Sequence, residues 1–310
     1  MIETSQHFTI KEITEGVYAA IHKDGGWHIG NSGIIDLGES TLIFDTGLTP
    51  RSAKELSKTA YKLTKNNVEY VVNSHYHNDH IRGNQCFPQA KIISSYKTRE
   101  LINVKGRQDV ESDRENAEKQ LNDLNMLSKK ADPEFEEYVR LFQPYWTGIV
   151  DSLPSLNIRL PDLTFSEGLE IHGRSRYVKL LQYNEGHSLN DCVLCLPDEG
   201  VLFCGDLLFH ECHPYLGDGF PESWLRILDE LLKIGSVHIV PGHGDVTDPG
   251  SLGVMKKYIE TLLRYVDDII SSNGSSLDLD GVVVPDFYVG WVLEKPFFRV
   301  NLDFLYRRLG

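Results

Sequence analysis

An α/β fold built on two sheets is what this chain of 310 residues predicts, from three observations. Two stretches read as successions of short strands punctuated by Gly, Asn and Asp. Between these stretches, and again after the second, apolar residues recur at helical spacing. The composition, 41% hydrophobic and 25% charged, is that of a folded globular protein and excludes disorder as a description of the chain. No repeat, low-complexity tract or long Pro/Ser linker divides it, so residues 1–310 are expected to form one domain with helices grafted onto it.

The first sheet opens with FTIKEI, GVYAAIH, NSGIIDL and TLIFDTG, ending at Gly47. Thr49-Pro50 then offers an N-cap and a proline at the first helical position, and Ala53, Leu56, Ala60 and Leu63 give the following helix one apolar face. Val68 to Val72 is a buried strand and Lys91 to Ser94 a shorter one. From Thr98 the texture becomes charged and helical. Ala117, Leu121, Leu124 and Leu127 make one stripe, and Phe135, Tyr138, Phe142 and Tyr145 a second after the Asp132-Pro133 break. Two or three inserted helices are expected over about 98–150. Strands resume at Asn157 to Leu160, Leu163 to Phe165, Arg176 to Tyr183, Asp191 to Leu196 and Val201 to Cys204, the last two joined by a turn at Asp198, Glu199 and Gly200. A helix from about Glu222 to Leu232 precedes a strand from Val237 to Val240. C-terminal helices fill about 249–309: Asp248-Pro249 opens one striped by Leu252, Met255, Ile259, Leu262, Val266 and Ile269, and Phe297 to Leu309 forms the last.

Thirty-one Lys plus Arg stand against 45 Asp plus Glu, a net charge of -14, so the averaged field repels phosphate backbones and anionic lipid. Neither nucleic acid nor membrane is an expected partner. Met1 to Ile10 has neither the basic nor the apolar region of an export signal, and no apolar run approaches the roughly 18 residues that span a bilayer. Five cysteines, an odd number spread through a long chain, do not look like a disulfide framework. A cytoplasmic protein is expected. Cys192 and Cys195 form CVLC, but in a strand they point to opposite faces, and no second such pair accompanies them.

The informative segment is Ser74-His75-Tyr76-His77-Asn78-Asp79-His80, which begins where the apolar run YVV ends. Imidazole and carboxylate suit Zn and, with more carboxylate, Fe or Mn, and a tight turn aims such side chains at adjacent points. Three further candidates each follow an apolar strand: His187 in NEGHSLND, Asp206 in CGD and His243 in PGHGD. Residues at the same end of several strands converge on one sheet edge, so distant positions can supply one ligand shell. Gly186, Gly205, Gly242 and Gly244 read as turn residues beside these ligands, and no phosphate-binding glycine fingerprint is present.

In the ordered set NSGIIDL-TLIFDTG, HYHNDH, EGHS, CGD and PGHG the chain resembles the metallo-β-lactamase fold superfamily, over most of its length. The resemblance implies a four-layer αββα sandwich with metals in a groove at one edge. It implies that His75, His77 and His187 bind one metal, that Asp79, His80 and His243 bind a second, and that Asp206 bridges both. It also places Asp45, in IFDTG, behind the ligands as their support. The zinc β-lactamases proper are typically exported and usually lack a bridging carboxylate. The basic C-terminal pattern of glyoxalase II is not matched by LDFLYRRLG, and the extra domains of the nuclease and flavodiiron branches are not expected. With its helical insert, the chain is similar instead to the lactonase and quinolone-response thioesterase group.

The expected activity is therefore hydrolysis of a small ester, thioester or lactone by a hydroxide bridging two divalent metals, Zn first with Fe or Mn as alternatives, and Asp79 orienting the nucleophile. Tyr145 and Trp146 are expected to wall the substrate, and His210, His213 or Tyr215 to donate to the developing oxyanion. The competing readings are a phosphodiesterase of the same fold and a binding or regulatory protein with little turnover. The aromatic residues of the insert also suit a homodimer contact.

Overall fold

The computed structural model describes residues 5–130 and 133–310. Seven strands lie side by side in chain order: β1 (Phe8–Thr14), β2 (Val17–His22), β3 (Ser32–Asp36), β4 (Thr41–Phe44), β5 (Val68–Val72), β6 (Lys91–Ser95) and β7 (Leu163–Phe165). The first four pair antiparallel and the rest parallel. The change of direction falls at β4–β5, where α1 (Pro50–Thr64) supplies the crossover that a parallel pair requires. Thr49 caps that helix by accepting from Ser52 N–H, with Pro50 at its first position, as the sequence predicts.

The second sheet is formed by β8 (Gly168–His172), β9 (Tyr177–Asn184), β10 (Asn190–Leu196), β11 (Val201–Phe203) and β12 (His238–Val240), in spatial order β12-β11-β10-β9-β8. All seven residues of central β10 are buried, which accounts for its unbroken apolar run CVLCL. One core lies between the sheets, where Ile35, Leu42, Phe44 and Val72 meet Leu180, Leu194, Val201 and Phe203. A second, around Ala53, Leu56 and Ala60, holds α1 against the outer face of the first sheet. A third packs α6 (Pro221–Lys233), α7 (Gly250–Ser271) and α8 (Glu294–Leu309) on the outer face of the second sheet through Trp224, Leu228, Met255, Ile259 and Leu302. Three cores between successive layers make the expected four-layer α/β/β/α sandwich.

Between β5 and β7 the chain leaves the sheet for α2 (Asn78–Ile81), α3 (Tyr96–Leu101), a π-helical turn at Ile102–Gly106, α4 (Arg107–Lys130) and α5 (Pro133–Ser152). Asp132, the expected break, lies outside the described residues; α5 opens at Pro133. Two elements differ from expectation. Asn157 to Leu160 is not a strand, because its polar groups are taken by loop partners: Asn157 N–H donates to Gln85 Oε1 and Arg159 to the carbonyls of Phe87 and Ala90. Conversely β8 is a strand that the sequence reading passed over. It lies at the sheet edge with only Ile171 buried, so GLEIH carries little hydrophobic signal.

Candidate metal centre

β5 ends at Val72 in the inter-sheet core, and the chain turns at once. Asn73 holds the turn from inside, its amide donating to His80 O and Asn84 Oδ1. Ser74 N–H donates to Asp45 Oδ1 at 2.7 Å, and Ser74 O accepts from Cys192 N–H of β10, tying the loop to both sheets. His77 occupies the N-cap position of the one-turn helix α2, so Asp79 and His80 project from its first turn next to His75 and His77. The second sheet delivers the rest: His187 follows β9, Asp206 sits in a short turn after β11 and His243 follows β12. Gly242 is required here, since a Cβ would fall 1.9 Å from Asp206 Oδ1.

Two groups of ligand atoms result, His75, His77, His187 and Asp206 in one and Asp79, His80 and His243 in the other. His77 Nδ1 lies 3.0 Å from both His75 Nε2 and His187 Nε2. Asp206 reaches both groups: its Oδ2 is 3.3 Å from the Nε2 atoms of His187 and His243, and its Oδ1 is 3.1 Å from His80 Nε2. Asp79 Oδ2 lies 3.3 Å from His243 Nε2 and 3.6 Å from His80 Nε2. Although close, His80 Nε2 and Asp206 Oδ1 have no hydrogen-bond partner among the described residues and are fully buried. Buried polar atoms left unpaired are costly, and these converge on the space between the side chains, as ligand atoms do. Five imidazoles and two carboxylates form a donor set that fits a divalent cation.

Electrostatics agree. Burial works against a charged His80, but the carboxylates of Asp206, Asp79 and Asp45 outweigh it and hold the ring well above its ordinary value. Against the same burial, Asp206 and Asp79 push His243 up to about 9. Burial leaves His75 far below the usual imidazole range and His187 lowered to about 3. The carboxylates thus impose a strongly negative potential that attracts cationic charge.

A metallo-beta-lactamase superfamily model matches residues 25–243, which includes all seven of these residues. The chain belongs to the metallo-beta-lactamase superfamily. Members of this superfamily are mostly metal-dependent hydrolases. Among solved structures the fold is similar to that of a metallo-beta-lactamase from Pontibacter korlensis, with a TM-score of 0.59 and 18% identity over 82% of this chain and 99% of that one. DIM-1 metallo-beta-lactamase, in a crystal exposed to ceftazidime, matches with a TM-score of 0.59 and 15% identity over 84% of this chain and 99% of its own. A search of curated proteins finds no match. Among the described residues no helix is long and apolar enough to cross a membrane, and all five cysteines are free.

In this metallo-beta-lactamase superfamily protein the seven positions that the motifs single out lie close together, and Asp45 lies directly behind His80, its Oδ2 2.8 Å from His80 Nδ1. The five residues expected around the substrate are placed differently from one another. Tyr215 stands near the centre, its ring 6.4 Å from that of His77. His210 is half-buried beside His243, whose carbonyl accepts from its backbone N–H. Tyr145 and Trp146 are half-buried and pack α5 against Leu48 and Ile29. His213 is a correction: it is fully buried among Tyr258, Trp291 and Phe298, accepts from Tyr258 OH at Nδ1 and donates to Tyr288 O from Nε2. Neither nitrogen is left to serve an oxyanion.

The sequence reading missed three residues at the centre. Asp218 lies 3.1 Å from His77 Nε2, Tyr76 donates to Asp218, and Lys105 lies close to both. Only the acid between two glycines in LGDG, shortly after a ligand, signalled such a role.

Proposed function

We propose that this protein is a metal-dependent hydrolase that opens a small ester, thioester or lactone, using two divalent cations, with zinc the first candidate. The observation that carries the reading is Asp206, a buried carboxylate within reach of both ligand groups. When bound, a pair of divalent ions lowers the pKa of water from about 15.7 toward 7 and polarises a carbonyl. No side-chain nucleophile is then required. Asp79 is more exposed than Asp206, 17% against 4%, and in this reading orients the attacking water. Tyr215 contributes a phenol near His77, His210 is a further candidate donor, its backbone N–H bonded to His243 O, and Tyr145 with Trp146 form the apolar wall. Free cysteines, four of them buried, are consistent with a cytoplasmic setting.

The test is a panel of an aryl ester, an acyl thioester, a lactone, a β-lactam and an aryl phosphodiester, each with chelator and with metal restored. Chelator-reversible turnover of ester, thioester or lactone, lost in Asp206→Ala and His77→Ala, is the expected result. Full turnover in both variants would overturn the mechanism, and turnover of the phosphodiester alone would overturn the substrate class.

A further inference from the structure

We infer that Asp218, held by Tyr76 and Lys105, is a positioning residue that sets which nitrogen of His77 faces the metal group. The inference rests on the reading of His75, His77, His187 and Asp206 as ligands. His77 is the most exposed imidazole of that group, 17% against 0% for His75, so water could otherwise partner either ring nitrogen. In the structure its Nδ1 points at His75 and His187 while its Nε2 lies 3.1 Å from Asp218 Oδ2. An ionised carboxylate only accepts, so Nε2 must carry the proton and Nδ1 is left with its lone pair directed inward.

The carboxylate is itself restrained at both oxygens. Tyr76 OH donates to Oδ2 at 2.6 Å, and Lys105 Nζ lies 3.6 Å from Oδ1. The lysine also donates to Tyr76 OH at 3.3 Å and sits 5.1 Å from the centre of that ring. Three separate segments meet here: the metal loop, the turn between Gly217 and Gly219, and the π-helical turn at Ile102–Gly106 in the insert. Through Lys105 the insert therefore reaches a ligand, and π-helical turns recur at functional sites. Stability does not account for the arrangement. Lys105 is 46% and Asp218 34% exposed, and ion pairs so open to water contribute little to folding. A fixed ring orientation does account for it, as does the parallel with His75 and His80, whose outward Nδ1 atoms lie 2.9 Å from Ser74 Oγ and 2.8 Å from Asp45 Oδ2.

The experiment titrates full-length protein with Zn²⁺ against a chromophoric chelator, for wild type, Asp218→Ala, Asp218→Asn and Tyr76→Phe. Histidine tautomers are read in parallel by long-range ¹H–¹⁵N spectra of the metal-free chains, with His77→Ala identifying the His77 signals. Asp218→Ala should weaken one zinc site by about 10- to 100-fold and leave the other unchanged, while the His77 proton redistributes between Nε2 and Nδ1. Asp218→Asn, which keeps one acceptor oxygen, and Tyr76→Phe should fall between wild type and Asp218→Ala. Wild-type affinity at both sites with an unchanged tautomer in Asp218→Ala would overturn the inference. A wild-type chain that binds no zinc would instead overturn the ligand reading beneath it.

Discussion

Asp45 occupies the left-handed region with φ of 60°, at the point where β4 leaves the inter-sheet core. Such a conformation costs a non-glycine residue about 1 kcal/mol or more, and is retained where the surroundings enforce it. Here both carboxylate oxygens are committed, Oδ1 to Ser74 N–H and Oδ2 to His80 Nδ1, so one buried acid sets the start of the Ser74–His80 segment and the orientation of the His80 ring. His80 Nδ1 faces that carboxylate, which directs Nε2 toward Asp206 and Asp79. Asp45→Asn can keep the bond to Ser74 but turns an amide N–H₂ toward a ring N–H. The variant should lose about 1–3 kcal/mol of stability for the unsatisfied buried donor. It should also lose roughly 10- to 100-fold in zinc affinity. Urea unfolding of the metal-free protein and a zinc competition titration check the two effects separately; wild-type values in both would remove Asp45 from the account. The IFDTG motif made this residue readable in sequence, whereas Asp218 carries no comparable mark, because its role depends on a turn brought beside His77 only by the folded chain.

Elements were legible in proportion to how one-sided their burial is. α7, striped by Leu252, Met255, Ile259, Leu262 and Val266, and wholly buried β10 appear where the sequence reading puts them, and β8, an edge strand with one buried residue, does not. The segment from Asn157 to Leu160 has strand-like residues but spends its polar groups on loop contacts, which periodicity cannot report. The seven positions that the motifs single out lie in one dense segment after β5 or just after β9, β11 and β12, which made them legible, whereas His213, expected only from its place in the loop after Asp206, turns into the α7–α8 packing. The β2–β3 connection illustrates an energetic term that sequence also conceals. His28 lies in it fully buried, between Ser52 Oγ of α1 and Ser32 Oγ of β3, and a Cβ at Gly47 would fall 2.2 Å from its ring. Burial, reinforced by the charge of His22, lowers His28 to about 3. With the folded value below the unfolded one, its stabilising contribution is complete above pH 6.5 and is lost as pH falls through that value toward 3. Between pH 8 and pH 5 this group alone should cost about 2 kcal/mol of stability. Urea unfolding at the two pH values should show His28→Gln losing about that much less than wild type, and equal losses would contradict the assignment.

At the scale of the whole molecule, the candidate metal centre is where the two sheets are joined at their edge. The loop after β5 brings His75, His77, Asp79 and His80 from the first sheet, and the turns after β9, β11 and β12 bring His187, Asp206 and His243 from the second. A cation bound there favours the folded chain, because the four candidates from the loop after β5 meet His187, Asp206 and His243 only once both sheets have formed. Ligand binding of that kind stabilises by RT ln(1 + [L]/Kd), about 4 kcal/mol per site when free metal is 1,000 times Kd. Zinc should accordingly raise the melting temperature by several degrees, and chelator should return it to the metal-free value. Ligand substitutions divide the effect by geometry. His243 contacts Asp79 and Asp206 and belongs to one group, so His243→Ala should retain part of the zinc-induced shift. Asp206 reaches both groups, so Asp206→Ala should lose nearly all of it. Differential scanning calorimetry at fixed free zinc distinguishes these patterns. A full shift in Asp206→Ala would mean that the carboxylate does not link the two groups, and with it would fall the reading of the sandwich edge as a single two-metal centre.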